Sequence, residues 1–379
     1  SRITERGWTV DNLWHIFTDF YGGQYAPLAF LSYLVLYAGF GYDPFYFHMF
    51  SLLLHIGCVC LVWKLISSLL RVHGGVSEKQ ILYVNFITTL LFAVHPINVE
   101  AVAWISALKV LLYAFFYLLG LLCYLRYIRT SKIFYYVLTI GCFLCSFWGK
   151  EQAVTFPLAL LIVDWFTNRN IKNLEVWSEK MSFLIMAFFF GIITVLSQGK
   201  GPYEMIFPLY QRLLFGCFAL VEYITKSLLP VNLNFFYPFP IVLGEEPPLH
   251  YYLYPVVLLF LMGWIIAYRN NRYLVFGVLL FLVNLLFSIH LFNMSRHAIV
   301  ADRYMYLSYV GIAFLIANGI WWLRKRLSYF KAALVFLFFY CFFLSVYTFH
   351  YTKKWENTTM VKKYTKEVLE KRLNGSNHL

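Results

Sequence analysis

Charge is what this chain has little of. Only 13% of its 379 residues are Asp, Glu, Lys or Arg, against 61% hydrophobic and 21% aromatic. A soluble domain could not cover so much apolar surface, and a water-facing helix would show its apolar residues at intervals, not in blocks. The two-residue alternation of a membrane β-barrel is missing too. So is any second cysteine pair at metal-site spacing beside Cys58/Cys60 or Cys142/Cys145. With Cys123, Cys217 and Cys341 these residues lie inside apolar blocks and read as small buried hydrophobes, which leaves the redox compartment open. No initiator Met or signal peptide precedes "SRITERGW", which reads as a chain with an earlier portion before it.

What is present is a series of uncharged blocks, each roughly 17 to 25 residues long, the length a bilayer demands of a helix. They predict an all-α polytopic membrane protein of about ten or eleven spans. We place spans at 45–70, 81–94, 110–127, 133–148, 153–166, 181–197, 251–268, 273–290, 304–323 and 332–350. Residues 1–350 form the membrane domain, and 351–379 a basic helical tail. The net charge of +13 sits in short loops and in that tail, as the positive-inside rule and anionic headgroups produce, and this argues against a nucleic-acid partner. Loops with Arg71 and Lys79, with Arg126, Arg129 and Lys132, with Arg169, Lys172 and Lys180, with Arg269 and Arg272, and with Arg324 to Lys331 are assigned to the cytoplasm. Residues 25–41 and 212–229 fit poorly as spans and read as interfacial or re-entrant helices on the opposite face. "FYPFP" reads as a rigid aromatic loop lying on the membrane.

The residues that could carry chemistry then fall on the non-cytoplasmic side. In "HPINVEAVAWISALK", Pro96 restarts a helix after His95, with Glu100 and Trp104 four apart on one face and Lys109 beyond. Glu100 could merely neutralise a helix dipole, but an intramembrane carboxylate is costly and points to a base or a sugar-hydroxyl acceptor. Trp104 reads as an interfacial anchor or a surface for a sugar ring. In "GKE", Lys150 could snorkel or could grip a phosphate, with Glu151 fixing it. In "SRHAIVADRYMYL", Arg296, His297, Asp302, Arg303 and Tyr304 crowd one helix mouth, and the excess of cations suits an anionic ligand. Tyr25 and His48 lie on the same side. His48 and His55 share a helix face without a further metal ligand, so no metal site is assigned. Asp164, near a cytoplasmic end, reads as structural.

The ordered series "QYAPLAFLSY", "FGYDPFYFH", "HPINVEAVAWIS", "GKEQAVTFPLALLIVDW", "LNFFYPFP" and "ADRYMYLSYVGIA" resembles the transmembrane O-mannosyltransferases of the cadherin-targeting type and their bacterial relatives. These are C-class glycosyltransferases. The resemblance implies transfer of mannose or a similar sugar from a polyprenyl-phosphate carrier to a Ser or Thr hydroxyl of an exported protein. It also implies a catalytic acidic pair in the first outward loop. Asp11 and Asp19 do not match that pair, and Ala26 stands where the family has Arg.

On this reading Lys150, Arg296 and Arg303 bind the lipid phosphate and Glu100 is the catalytic carboxylate. Tyr25, His48, His95, Trp104, Lys109, Glu151, His297, Asp302 and Tyr304 line the substrate. The only cofactor implied is the lipid-linked sugar donor, with divalent metal left open. A bacterial inner membrane is favoured over endoplasmic reticulum by the short loops. The alternatives are a transporter or flippase of a phosphorylated lipid or anionic solute, or a catalytically inactive scaffold. Midplane sites on repeated, broken helices would mark a transporter, whereas these charges gather at one surface and no repeat is visible.

Overall fold

A computed structural model describes residues 2–21, 23–198, 207–291 and 298–376, and among these the protein is built from helices. Its β-pairing there consists of two isolated bridges, Tyr21 with Gln24 and Tyr237 with Val300. Six helices are long and apolar enough to cross a membrane: Pro44–His73, Ile105–Thr130, Leu174–Ser197, Leu249–Ala267, Asp302–Lys325 and Leu327–Trp355. A seventh span is available if Glu78–Val94 and Pro96–Ala103 count together across their 50° bend. The protein is an all-α, multi-pass integral membrane protein.

The remaining expected spans are shorter. Ile133–Gly149 has 17 residues and Arg272–Leu285 has 14. The span expected at 153–166 begins as a 3-10 turn, Glu151–Thr155, and its α-helix, Phe156–Phe166, has 11 residues. At about 1.5 Å per residue that helix falls well short of a ~30 Å hydrocarbon layer. The two segments set apart from the spans form the helices Pro27–Phe40 and Leu209–Leu228. The second is two-faced: Gln211, Leu214, Phe215, Ala219, Tyr223 and Lys226 are buried, while Leu209, Tyr210, Leu213 and Leu228 are exposed.

The chain divides into two compact units, Ser1–Thr89 with Ile105–Tyr203, and Leu90–Trp104 with Glu204–Leu379. The first is organised on an antiparallel hairpin of Leu108–Thr130 and Ile133–Gly149, turned at Ser131 in the left-handed conformation (φ 53°). Gly149 makes the close approach possible, because a Cβ there would stand 2.7 Å from the Tyr113 nitrogen. Pro44–His73 packs on this hairpin, its start set by Asp43, whose Oδ1 accepts from Phe45 N at 3.0 Å, and by Pro44 in the first turn.

At the other end of that hairpin Asp164, read as structural, is fully buried in a charge network. Lys180 Nζ lies 2.5 Å and Arg169 Nη1 2.9 Å from its carboxylate, and the Tyr124 hydroxyl donates to it at 2.8 Å. Glu179 closes the set with bonds of 2.8 and 2.9 Å from Arg169, and this pairing raises the Arg169 pKa above its ordinary value. Lys180, expected as a loop cation, is therefore an interior residue.

In the second unit Arg272–Leu285 and Met305–Trp322 run antiparallel with Gly277 and Gly311 facing each other; a Cβ on Gly311 would stand 2.5 Å from Gly277 O. Small residues of this kind are what bring membrane helices together. The tail expected from residue 351 is the helix Thr358–Ser376, whose Val361 and Tyr364 pack against Val99, Leu233, Tyr351 and Trp355.

Candidate functional site

The bend at residue 95 is what presents Glu100. Pro96 has no N–H, so the Phe92 carbonyl loses its helical donor; the Asn98 side-chain nitrogen replaces it at 2.7 Å. The Val94 carbonyl is taken by the Thr348 hydroxyl at 2.7 Å. His95 Nδ1 accepts from Ile97 N at 3.2 Å, and its ring lies against Tyr309 with centroids 4.2 Å apart. His95 is buried as part of this break rather than open to a substrate. The short helix that follows, Val99–Ala103, carries Glu100 in its first turn.

Glu100 is fully buried, and both its oxygens face one residue. Oε2 accepts from Arg303 N at 2.7 Å, and Oε1 is ion-paired with Arg303 Nη1. The Arg303 guanidinium carbon lies 5.3 Å from the Trp104 ring centroid and 5.1 Å from that of Tyr304. Trp104 meets Phe235 edge-on at 5.1 Å. Trp104 and Tyr304 thus flank the arginine in cation–π contacts. The Arg303 side chain is 19% exposed, whereas that of Glu100 is fully buried.

Beside the pair stands a second buried carboxylate, Asp302. The Tyr237 hydroxyl lies 2.9 and 3.1 Å from its two oxygens and itself accepts from Asn234 N at 2.7 Å. Burial, with the Asp302 charge adding to it, pushes the Tyr237 phenol well above its ordinary pKa, so it stays a proton donor. Lys226 Nζ sits 4.7 Å from the Tyr237 ring centroid and 3.4 Å from Glu222. The loop expected to lie on the membrane is therefore, at Tyr237, an interior wall: the residue is 1% exposed. Neither Tyr237 nor Lys226 was singled out from the sequence. The available signal was Lys226 on the same helical face as Tyr223 and Ala219, where a solvated lysine has no place.

Tyr25, His48, Lys109, Lys150 and Glu151 belong to the first unit. Lys109 Nζ donates to Gln24 Oε1, and the Tyr25 hydroxyl to Phe17 O at 3.0 Å. Lys150 is 2% exposed and follows the end of Ile133–Gly149, its N–H donating to Ser146 O at 3.0 Å. Its burial places it among interior residues, not among snorkelling ones. His48 is partly buried, and among the described residues no three His, Cys, Asp or Glu side chains gather as a metal ion would require. Arg296 and His297 lie outside the described residues.

Chemically, the second unit offers an arginine held in one orientation. A guanidinium held at Nη1 by a carboxylate and backed by an indole can still use its other nitrogens on a phosphate oxygen. A proton-accepting role for Glu100 fits this arrangement less well, since both of its oxygens are engaged by Arg303.

In sequence the chain is similar to protein O-mannosyl-transferase TMTC2 of Mus musculus, 32% identical over 191 residues, 46% of this chain and 21% of that protein. It is similar to Tmtc3 of Drosophila melanogaster, another protein O-mannosyl-transferase, at 28% over 172 residues, 40% of this chain and 18% of that one. To TMTC1 of Homo sapiens, named likewise, the identity is 30% over 181 residues, covering 42% and 20%. The resemblance drawn from the six motifs is thus matched by relatives that carry this name, and the chain spans about a fifth of their length. No protein-family model matches the chain. No solved structure matches it.

Proposed function

We propose, for a chain similar over nearly half its length to protein O-mannosyl-transferases, that it is a membrane O-mannosyltransferase that moves mannose from a polyprenyl-phosphate carrier to a Ser or Thr hydroxyl of an exported protein at the non-cytoplasmic face. The observation that carries this reading is the buried Glu100–Arg303 pair, which aims a guanidinium from an apolar interior. In the reaction the acceptor oxygen attacks the anomeric carbon, the carbon–oxygen bond to phosphate breaks, and the carrier phosphate leaves with the electron pair. Arg303 offsets the charge growing on that phosphate, and such a donor is worth most where water is scarce. Glu100 acts through Arg303 as a positioning residue. The acceptor proton then passes to another carboxylate, which the family resemblance puts in the first outward loop. Lys150 and Arg296 keep a proposed phosphate-binding role on the sequence argument alone. Since the relatives named above are animal proteins, an endoplasmic-reticulum membrane becomes the favoured location over a bacterial inner membrane.

The test is transfer in membranes from a lipid-linked mannose donor to a Ser/Thr-rich peptide. Arg303→Ala should lower kcat by about 10²–10³-fold, the usual loss for one aimed donor. Glu100→Gln, which keeps shape and drops charge, should lose less and should respond in kcat more than in donor KM. Unchanged transfer in both variants would remove the pair from the mechanism.

A further inference from the structure

Three residues of the stretch that carries Arg303 are tied to Tyr237, which lies 65 positions before Asp302 in the chain. Ile299 N donates to Tyr237 O at 2.9 Å, and Val300 pairs with Tyr237 as a β-bridge. Ala301 N donates to the Tyr223 hydroxyl at 3.2 Å. Asp302 receives the Tyr237 hydroxyl, and Arg303 N donates to Glu100. Five consecutive residues thus have fixed positions, and Tyr237 holds three of them. A fully buried Asp302 needs compensation, because an uncompensated carboxylate would shift toward water and take its neighbour with it. The Tyr237 hydroxyl supplies that compensation, and the Asn234 N–H it accepts polarises its O–H toward a stronger donor.

We propose that Tyr237 is a positioning residue for Arg303: its hydroxyl, by holding Asp302 in the interior, sets the register of the 302–304 turn so that the Arg303 guanidinium stays on Glu100 and Trp104. The catalytic consequence rests on the transferase reading above, but the geometry does not. The experiment therefore reads both. In the purified full chain, phenylglyoxal modification of Arg303 is followed by mass spectrometry, alongside transferase turnover. Tyr237→Phe keeps the ring and the backbone bridge and removes one hydroxyl.

The expected result is Arg303 modified at least about threefold faster, with kcat about tenfold lower, as loss of a hydrogen bond to a charged group would give. Lys226→Gln removes the cation above the Tyr237 ring without touching the loop, and should raise Arg303 modification in the same direction. Faster modification with unchanged turnover upholds the positioning and sinks the role of Arg303 in transfer. Unchanged modification in Tyr237→Phe overturns the positioning, whatever the turnover does.

Discussion

Lys180 and Asp164 show what single residues are asked to do in so apolar a chain. Both are fully buried, 2.5 Å apart, and Arg169, Glu179 and Tyr124 complete their bonds. Removing one member of a buried pair leaves the other uncompensated, so Lys180→Met should destabilise the protein by roughly 3–5 kcal/mol. Replacing both with apolar residues of similar size, Asp164→Leu with Lys180→Met, should recover most of that loss, since desolvation of two ions no longer has to be offset. Thermal unfolding in detergent measures both, and a double variant no more stable than the single one would show that the network is more than a charge balance. From sequence, Asp164 reads as structural but Lys180 as a loop cation. A lysine next to loop cations looks like one of them until a carboxylate 16 positions back is known to face it. The same limit applies to Glu100 and Arg303. Each stood out as a charge in an apolar setting, yet their pairing spans 203 positions, and no local pattern encodes it.

At the scale of elements, long apolar blocks were legible because bilayer thickness sets a length that composition alone reveals. Breaks were less so. Pro96 signals a restart, but not that Asn98 caps the Phe92 carbonyl or that Thr348, from a helix 254 positions on, takes the Val94 carbonyl where the helix breaks. The 3-10 turn Glu151–Thr155 likewise shortens a segment that hydropathy reads as one span. The bend has a direct test. Asn98→Leu keeps the side chain's bulk but leaves the Phe92 carbonyl, now given a hydrogen bond at 2.7 Å, without that donor in a buried place. Losing that hydrogen bond costs about 0.5–1.5 kcal/mol, and relief lies in straightening or shifting the break. Since Glu100 follows two residues later, transfer should fall together with thermal stability, and added Arg303→Ala should then reduce transfer less than it does in the parent protein. A loss of stability with transfer intact would separate the break from the site.

Across the whole molecule, the organisation of the second unit is the part least visible in sequence. Its residues come mainly from Glu204–Leu379, but Leu90–Trp104 joins them from the first half of the chain. That short segment brings Glu100 to Arg303, Trp104 to the arginine's face, and Val99 into the cluster with Leu233, Tyr351 and Trp355. A fragment of residues 204–379 made alone would thus leave Arg303 without its carboxylate and an apolar cluster without its cover. Both defects act in one direction, because an unpaired charge draws toward water the same turn whose packing has lost its cover. Expressed alone, the fragment should accumulate in membranes to no more than about a tenth of the level it reaches when residues 1–203 are co-expressed, since quality control removes chains that stay unfolded. Glu100→Ala in the co-expressed half should weaken that rescue, whereas Glu100→Asp, which keeps the charge, should preserve more of it. Equal accumulation with and without the first half would mean that the second unit does not need its early segment, and that the Glu100–Arg303 pair is not what holds it together.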